Sequence, residues 1–401
     1  ALGGGARAFE VLTCRTSRLK LDRPTSQAQM THPYRAQPPR AFWKSTIAGK
    51  HPLDVADWYV KRFPIDGARI ATAGSCFAQH IGRNLRGRGF RYMDVEPAPE
   101  GLPQSLRQDY GYGLYSARYG NIYTARQLLQ LLQRALGRFT PVQSHWEKDG
   151  GVVDPFRPTL EPEPFGSVAE MEALREDHLE RVLRLFRNAE VFVFTLGLTE
   201  QWLSRADGAA YPLCPGTAGG VFDPAEHAFH NLTTAEVRAD MEAFLALARQ
   251  INPDIKLILT VSPVPLMATA TAQQVAVATA QSKAVLRAAA GELVQAHEGV
   301  DYFPSYEIIT APFMKGYFFE ADQRAVSPHG VKHVMSVFFD QHPPAKGAGG
   351  WVPPDPAPDA AEPDAEPPLR PRMAPGVAET AEQVQCDEEL LKAFGPDADP
   401  E

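Results

Sequence analysis

The chain has 401 residues and a formal net charge of −8 at pH 7, with 44% hydrophobic and 22% charged residues. This length suits one large domain or two ordinary ones, and the composition excludes fibrous and wholly disordered classes of protein. The charge is concentrated at one end, because residues 342–401 hold 13 acidic and 4 basic residues while the remainder is nearly neutral, so no nucleic-acid surface is expected.

Both ends of the chain differ from the middle. Residues 1–29 show no clear hydrophobic period, and we interpret them as an extension from a start site assigned too far upstream, with an arm as the alternative. Residues 342–401 contain 13 of the 36 prolines, a composition that buries too little apolar surface to offset chain entropy. We therefore predict a disordered acidic tail with one short helix near 381–394, and a single domain over residues 30–341.

Between these ends, apolar runs of strand length alternate with segments of helical period. The predicted strands span 69–73, 189–196, 255–261 and 300–303, and the predicted helices begin near Ser75 or span 124–136, 168–187, 234–250, 272–297 and 327–339. Strands separated by helices predict a parallel sheet covered on both faces. Two segments without a clean period, 141–165 and 204–231, are expected to be lids or binding loops at the carboxyl ends of the strands.

The cysteine content and the hydropathy of the chain indicate its cellular compartment. The chain has four cysteines, at positions 14, 76, 214 and 386, and no dense disulfide framework, which favours a reducing compartment. No apolar run of about 18 residues occurs, so we expect no membrane span. The N-terminus also lacks an apolar stretch of signal-peptide length. The sequence thus predicts a cytoplasmic protein.

The first predicted strand ends in residues that suit an activated nucleophile. Gly74 permits a sharp turn, Ser75 is a good N-cap, and Cys76 then falls on the first helical turn. Free N–H groups and partial positive charge at a helix N-terminus lower the pKa of a cysteine and can stabilise an oxyanion. The alternative is structural: Ser75 only caps the helix, and Cys76 is a buried, inert thiol.

The string Gly74-Ser75-Cys76-Phe77-Ala78 resembles the motif that names the GSCFA family. Further blocks resemble that family in the same order, at 119–124, 194–200, 260–266 and 303–307, and the resemblance runs over 42–341. The family is grouped with SGNH/GDSL hydrolases. The resemblance therefore implies a three-layer α/β/α domain with a flavodoxin-like parallel sheet, and a reaction that cleaves or transfers acyl esters through a Ser–His–Asp arrangement.

The resemblance also implies roles for individual residues. In one alignment with the larger group's Gly-Asp-Ser block Cys76 is the nucleophile, and in the other it is Ser75; the two remain alternatives. Oxyanion donors are expected from Gly120-Asn121 and from the end of the second strand, where Thr199 stands in for an asparagine. The residues expected to bind the oxyanion or the substrate are Gly74, Gly120, Asn121, Gly197, Thr199, Glu200, His230 and Asn231.

The general base is the incomplete part of the resemblance. The larger group carries Asp-x-x-His before its last helix; here Asp322 is present, but Ala325 occupies the position of the histidine. His329 lies in the first turn of the predicted last helix, and His333 lies one turn later on the same face. Either imidazole is a candidate base, and the alternative is that both are surface or core-edge side chains.

These features leave three functions open. The first is a hydrolase or acyltransferase that acts on O-acyl esters, including those of carbohydrate. The second, motivated by Ala325, is a catalytically impaired module that binds a carbohydrate or acyl ligand. The third is an interaction protein that acts mainly through its tail. No cofactor and no metal are expected, because His227 and His230 lack a convincing third ligand, and the expected partner is a small-molecule or glycan ester.

Overall fold

The computed structural model describes residues 32–344 and 384–395 of the chain. It divides into two compact units, residues 1–48 and 49–401. The described part of the first unit contains 3₁₀ turns at Pro33–Ala36 and Pro39–Ala41 and the short helix α1 (Trp43–Thr46). All other elements belong to the second unit. The predictions for residues 1–29 and for most of the acidic tail lie outside the described residues.

The strands of the second unit form one central sheet and two small ones. In chain order they are β1 (Ile70–Gly74), β2 (Trp146–Lys148), β3 (Gly151–Val153), β4 (Val191–Leu196), β5 (Glu200–Ser204), β6 (Ala210–Tyr211), β7 (His227–Asn231), β8 (Lys256–Val261) and β9 (Val300–Tyr302). The central sheet has the order β1-β4-β8-β9, and all its strands are parallel. A single parallel bridge from Ile70 to Tyr92 extends this sheet beyond β1, which gives the 2-1-3-4-5 order of flavodoxin-like sheets.

The helices of the second unit follow the strands. They are α2 (Phe77–Gly87), α3 (Gln104–Arg107), α4 (Ala125–Ala135), α5 (Val168–Asn188), α6 (Thr234–Ile251), α7 (Val275–Ala296), α8 (Ser305–Thr310) and α9 (Pro328–Gln341), with 3₁₀ turns at Pro52–Asp54, Pro312–Met314 and Asp387–Phe394. Capping side chains fix the first residues of several helices: as N-caps, Thr124, Ser167, Thr233 and Ser327 each accept a hydrogen bond from a backbone N–H of the first turn. Within the described ranges, every helix falls short of the length or apolarity that crossing a bilayer demands.

Alternating side chains along the sheet separate two apolar layers. Phe192 and Phe194 of β4 pack with α4, α5, α6 and α7 on one face, whereas Val191 and Val193 pack with α2, α8 and α9 on the other. A strand buried on both faces reads as a continuous apolar run, which is why β4 and β8 stand out in the sequence. The predicted three-layer α/β/α fold is therefore confirmed.

The two irregular segments fold into the small sheets. Residues 141–165 contain the β2–β3 hairpin, and residues 204–231 supply β6 and β7, which pair with β5 in an antiparallel sheet. Because β5 starts four residues after β4 ends, this sheet lies beside the carboxyl end of β4. Part of the segment 204–231 therefore lies beside the carboxyl edge of the central sheet.

Candidate active site

The turn between β1 and α2 depends on Gly74. Its φ is +138°, and a Cβ placed there would lie 2.4 Å from the carbonyl oxygen of Thr195 on the neighbouring strand. Only glycine allows this approach, and the Ser75 N–H then donates to the same carbonyl, at 3.1 Å. The turn presents Ser75 and Cys76 at the carboxyl end of the sheet.

The helix cap differs from the prediction. Cys76, in helical conformation, is the N-cap of α2, and no side chain caps this end. The Ser75 hydroxyl is buried without a hydrogen-bond partner among the described residues, so the predicted Ser75 cap is wrong. The reason is steric: the turn at Gly74 directs Ser75 toward Gly197, where a Cβ would come within 2.9 Å of the Ser75 Cβ, and away from the first N–H groups of α2.

A small cavity opens beside Ser75 and Cys76. It is lined by Ser75, Cys76, Tyr123, Gly197, Leu198, Ser262, Val264, Pro265, Leu266, Lys283 and Glu388. These residues come from the carboxyl ends of β1, β4 and β8, from the segment before α4, from α7 and from the C-terminal segment. The hydroxyls of Ser75 and Tyr123 are both buried, and neither has a hydrogen-bond partner in the described part of the chain. The cavity thus offers two unused polar groups next to a thiol.

Lys283 is the residue of this cavity that the sequence analysis missed. Its side chain is buried, with 1% exposed, and its Nζ donates a hydrogen bond of 2.6 Å to the Gly197 carbonyl. Burial lowers the pKa of the Lys283 amine to about 8. A signal for it existed, because Lys283 falls on the stripe of α7 that also buries Leu286, Ala290 and Leu293.

Asn121, an expected oxyanion donor, has hydrogen-bond partners at both ends of its amide. It follows Gly120, whose φ is +67°, and its Oδ1 accepts a hydrogen bond of 2.5 Å from the Tyr115 hydroxyl. This bond fixes the orientation of the amide, so that Nδ2 points toward the C-terminal segment. There it donates to Oδ2 of Asp387, at 2.8 Å. The side chain therefore already binds a carboxyl oxygen of Asp387, whose pKa is raised by burial.

The C-terminal segment lies against the site. The sequence predicts a short helix near 381–394, and the structure has an eight-residue 3₁₀ helix at Asp387–Phe394. The Cys386 thiol is hydrogen-bonded to the Cys76 thiol; this bond, followed by burial, raises the pKa of Cys76 well above its ordinary value. Both thiols are free rather than disulfide-bonded. In this arrangement Cys76 is a protonated thiol.

The segment that contains Asp322 and Ala325 also brings an arginine to the site. Nη2 of Arg324 lies 3.2 Å from the Glu388 carboxylate and 3.5 Å from the Cys386 sulfur. Asp322, in contrast, closes a turn, since its Oδ1 accepts from the N–H groups of Arg324 and Ala325, at 2.9 Å each. These bonds lower the pKa of Asp322. Asp322 therefore positions the backbone that carries Arg324.

The two candidate histidines of α9 pack on aromatic rings. His329 is exposed and contacts the edge of Tyr317, with ring centroids 5.7 Å apart. His333 stacks on Phe318 at 5.0 Å, and burial lowers its pKa. The described residues show no hydrogen bond from either imidazole to Ser75 or Cys76. The structure thus brings Lys283, and neither histidine, into the cavity beside Cys76.

Of the remaining predicted residues, Gly197 lines the cavity, whereas Thr199, Glu200, His230 and Asn231 do not. Thr199 donates to Asn231 at 2.6 Å, and Glu200 accepts from the Thr269 hydroxyl at 2.6 Å. His230 is hydrogen-bonded to Glu236 at 2.7 Å. The Gly197 N–H is also engaged, because it donates to the Tyr123 carbonyl at 3.0 Å. These bonds tie β5, β7 and the residues after β8 together around the end of β4.

Within residues 32–344 and 384–395, no three His, Cys, Asp or Glu side chains converge closely enough to hold a metal ion. Of the two histidines considered for this role, His227 accepts from the Asp223 N–H at 3.2 Å and His230 pairs with Glu236. Each histidine of β7 therefore has a hydrogen-bond partner close to it in sequence.

Comparison with known proteins agrees with the motif. No curated protein matches the chain. A sequence model described as the GSCFA family matches residues 69–338, about two thirds of the chain. The matched range begins one residue before β1 and ends within α9, so it includes the whole central sheet, Gly74-Ser75-Cys76, Lys283 and Arg324. The chain belongs to the GSCFA family.

Proposed function

We propose that the chain hydrolyses or transfers O-acyl esters, with Cys76 as nucleophile and Lys283 as general base. One observation carries this proposal: a thiol at the start of α2 and a buried amine line the same cavity at the carboxyl edge of a parallel sheet. Ligands of open α/β sheets bind at this edge. A lysine whose pKa is lowered to about 8 is partly neutral near physiological pH and can then accept a proton.

The reaction balances with these two groups. The neutral Lys283 amine takes the proton of the Cys76 thiol, and the thiolate attacks the ester carbonyl carbon to form a tetrahedral oxyanion. As the intermediate collapses, the C–O bond breaks and the Lys283 ammonium returns its proton to the departing alkoxide. Water, or a second alcohol, then attacks the thioester, with Lys283 again accepting the proton. The C–S bond breaks as this intermediate collapses, and the Lys283 ammonium returns its proton to the Cys76 thiolate. Water gives hydrolysis, and an alcohol gives acyl transfer.

Asn121 is the proposed oxyanion donor. Its Nδ2 donates to a carboxylate oxygen of Asp387 in this structure, so the group is oriented and suited to a negatively charged oxygen. Tyr115 keeps it oriented from the other end of the amide. Pre-positioned donors of this kind stabilise the tetrahedral intermediate without reorganising during the reaction.

The proposed substrate is a small ester or an O-acylated glycan, as the resemblance to SGNH/GDSL hydrolases implies. The proposed setting is the cytoplasm, where thiols stay reduced; the free thiols of Cys76, Cys214 and Cys386 support it. The proposed chemistry uses only proton transfer and acyl exchange, and therefore calls on side chains of this chain alone.

A binding module without turnover is the second candidate. The observation that favours it is the packing of His329 and His333 on Tyr317 and Phe318, which leaves the site without the imidazole of the larger group. This candidate predicts that a ligand binds beside Cys76 and that no ester is cleaved. The same assay separates the two functions.

The test is hydrolysis of p-nitrophenyl acetate by the purified full-length chain, measured in wild type and in Glu388→Gln, which weakens the contact of the C-terminal segment with Arg324. In each background, Cys76→Ala and Ser75→Ala are compared with Cys214→Ala. Cys214 is a matched control because it is a half-buried free thiol outside the cavity.

We expect Cys76→Ala to lower kcat/KM by about 100-fold or more, as loss of a nucleophile does. Cys214→Ala should leave the rate within about two-fold, since it removes no group of the site. Equal hydrolysis by the Cys76 and Cys214 variants would contradict Cys76 as nucleophile. Absence of hydrolysis in every background would favour the binding module.

A further inference from the structure

The C-terminal residues 385–388 are held in the site by side chains from distant parts of the second unit. Their partners come from α2, from the segment before α4, from the loop 141–165 and from the turn before α9; these partners are Gln79, Asn121, Thr159 and Arg324. The segment lies more than 40 residues beyond the end of α9. Contacts so numerous and so remote in sequence indicate a recognition site rather than a chance contact of a chain end.

One part of this site recognises main-chain groups. The Gln79 side chain is fully buried; its Nε2 donates to the Gln385 carbonyl at 2.8 Å, and its Oε1 accepts from the Gln385 N–H at 3.2 Å. A side-chain amide that pairs with both the N–H and the C=O of one residue can bind an extended polypeptide whatever side chain that residue carries. Gln79 lies three residues after Cys76, so the bound chain is held directly over the thiol.

A second part recognises two consecutive carboxylates. Asp387 accepts from Asn121 at 2.8 Å and from the Thr159 hydroxyl at 2.7 Å. Glu388 accepts from Arg324 at 3.2 Å and from the Met267 N–H, and it lines the cavity beside Lys283. Buried carboxylates are costly unless they are hydrogen-bonded or paired with cations, and each of these two has such partners.

We propose that the cleft around Cys76 is a binding site for an acidic peptide segment, occupied in this chain by its own residues 385–388, and that this occupation blocks access to Cys76. Gln79 binds the backbone, Asn121 and Thr159 bind the Asp387 carboxylate, and Arg324 binds the Glu388 carboxylate, which lines the cavity beside Lys283. The inference goes beyond the proposed function, because peptide binding at this cleft requires no ester turnover.

Tethering explains why the segment holds its place. A ligand joined to its site by a chain of tens of residues has an effective concentration in the millimolar range. A free acidic peptide therefore competes poorly until the tethered segment is weakened. Glu388 is the residue to change, because its removal leaves Arg324 without its 3.2 Å partner and leaves the core of the domain untouched.

The test measures the accessibility of the Cys76 thiol in the full-length chain. Wild type, Glu388→Ala and Glu389→Ala are treated with iodoacetamide, and alkylation at Cys76 is followed by peptide mapping. Glu389 is the matched control, since its carboxylate is 52% exposed and its distance to Arg324 is 3.8 Å. We expect Cys76 to react at least about 10-fold faster in Glu388→Ala than in wild type. Glu389→Ala should match wild type within about two-fold.

A peptide added in trans tests the recognition itself. A synthetic peptide of residues 384–395 carrying Cys386→Ser, added to the Glu388→Ala chain, should restore protection of Cys76. The same peptide with an additional Glu388→Gln change should protect at least about 10-fold less well at equal concentration.

Equal alkylation of Cys76 in all three chains, or equal protection by both peptides, would overturn the proposal. If Glu388→Ala impairs folding, Glu388→Gln keeps the side-chain size and gives the same readout, with the melting temperature as the check. Alkylation is independent of hydrolysis. Faster alkylation of Cys76 in Glu388→Ala than in wild type, together with failed hydrolysis in every background, would therefore support the peptide site and remove only the proposed activity.

Discussion

Lys283 donates a 2.6 Å hydrogen bond to the carbonyl oxygen of Gly197, and the Cα of Gly197 faces Ser75 so closely that no side chain fits between them. This bond fixes the amine at the end of β4, beside the residues that follow β1. It also explains how a lysine is retained in an apolar layer, since its Nζ has a carbonyl partner in place of water. The proposed base is thus held by the same glycine that makes room for the nucleophile segment.

The first prediction concerns Lys283 and pH. A lysine base works only when neutral, so hydrolysis should rise with pH through about 8, the value to which burial lowers its pKa, and level off above it. In Glu388→Gln the midpoint should move to lower pH, because the Glu388 carboxylate raises the pKa of Lys283. The measurement is kcat/KM from pH 6 to about 10 in both chains.

Lys283→Met provides the control for this profile. Methionine retains the length and apolar stem of the side chain but cannot accept a proton, so activity should fall by about 100-fold or more. The melting temperature should fall, because the buried Gly197 carbonyl loses its 2.6 Å donor, so the rates are compared below the unfolding transition of both chains. A Lys283→Met chain with an unchanged pH profile would exclude Lys283 as the base.

The second prediction concerns Gly74 and stability. Gly74→Ala places a Cβ 2.4 Å from the Thr195 carbonyl oxygen at a φ of +138°, so overpacking adds to backbone strain and should cost about 3 kcal/mol or more of unfolding free energy. Gly137→Ala is the matched control: its φ is +66°, and its Cβ would meet nothing within 4 Å. That change should cost only about 1 kcal/mol. Urea denaturation of both variants measures the difference, and equal losses would show that the close approach at Gly74 is unimportant.

The third prediction concerns Asn121. Asn121→Ala removes the proposed oxyanion donor and should lower kcat by about 10²–10³-fold in the Glu388→Gln background. KM should change less, because the bond is expected to form mainly in the transition state. Thr159→Ala serves as comparison, since it removes the other partner of Asp387 and no proposed oxyanion donor. Equal effects of the two changes on kcat would assign Asn121 to the C-terminal segment alone.

The fourth prediction concerns the histidines of α9, for which a role as base stays a prediction of the sequence. With Lys283 as base, His329→Ala and His333→Ala should keep hydrolysis within about two-fold of the parent chain. His333→Ala should lose about 1 kcal/mol of stability, because its ring stacks on Phe318. A loss of hydrolysis in either variant, at unchanged melting temperature, would return the base to an imidazole.

The fold could be predicted from the sequence because its signals are local. The continuous apolar runs of β4 and β8 indicate buried strands without any long-range information. N-cap residues such as Thr124 and Ser327 mark helix starts within a residue or two. The nucleophile segment was found for the same reason, since strand, glycine and helix start occur within seven residues. The error at Ser75 arose because the cap depends on how closely β1 and β4 approach at Gly74, which is a tertiary contact.

The rest of the site depends on contacts between residues far apart in sequence. Lys283 meets Gly197 across 86 positions, and Gln79 meets Gln385 across 306. The composition of residues 342–401 is an average over the whole acidic tail. It therefore gives no sign that the polar groups of residues 385–388 fit a cleft. Arg324 lies between Asp322 and Ala325, but the family pattern assigns a role only to Asp322 and to the histidine that Ala325 replaces. Long-range pairing of this kind leaves no periodic signal.

The most direct test of the central claim is the identity of the acylated residue. The Glu388→Gln chain is mixed with p-nitrophenyl acetate, quenched in acid during the first turnover, and the peptide holding Ser75 and Cys76 is fragmented by mass spectrometry. The account predicts one acetyl group on Cys76, released by neutral hydroxylamine as a thioester is, and absent in Lys283→Met. An acetyl group on Ser75, on a histidine of α9, or on no residue while hydrolysis proceeds would contradict it.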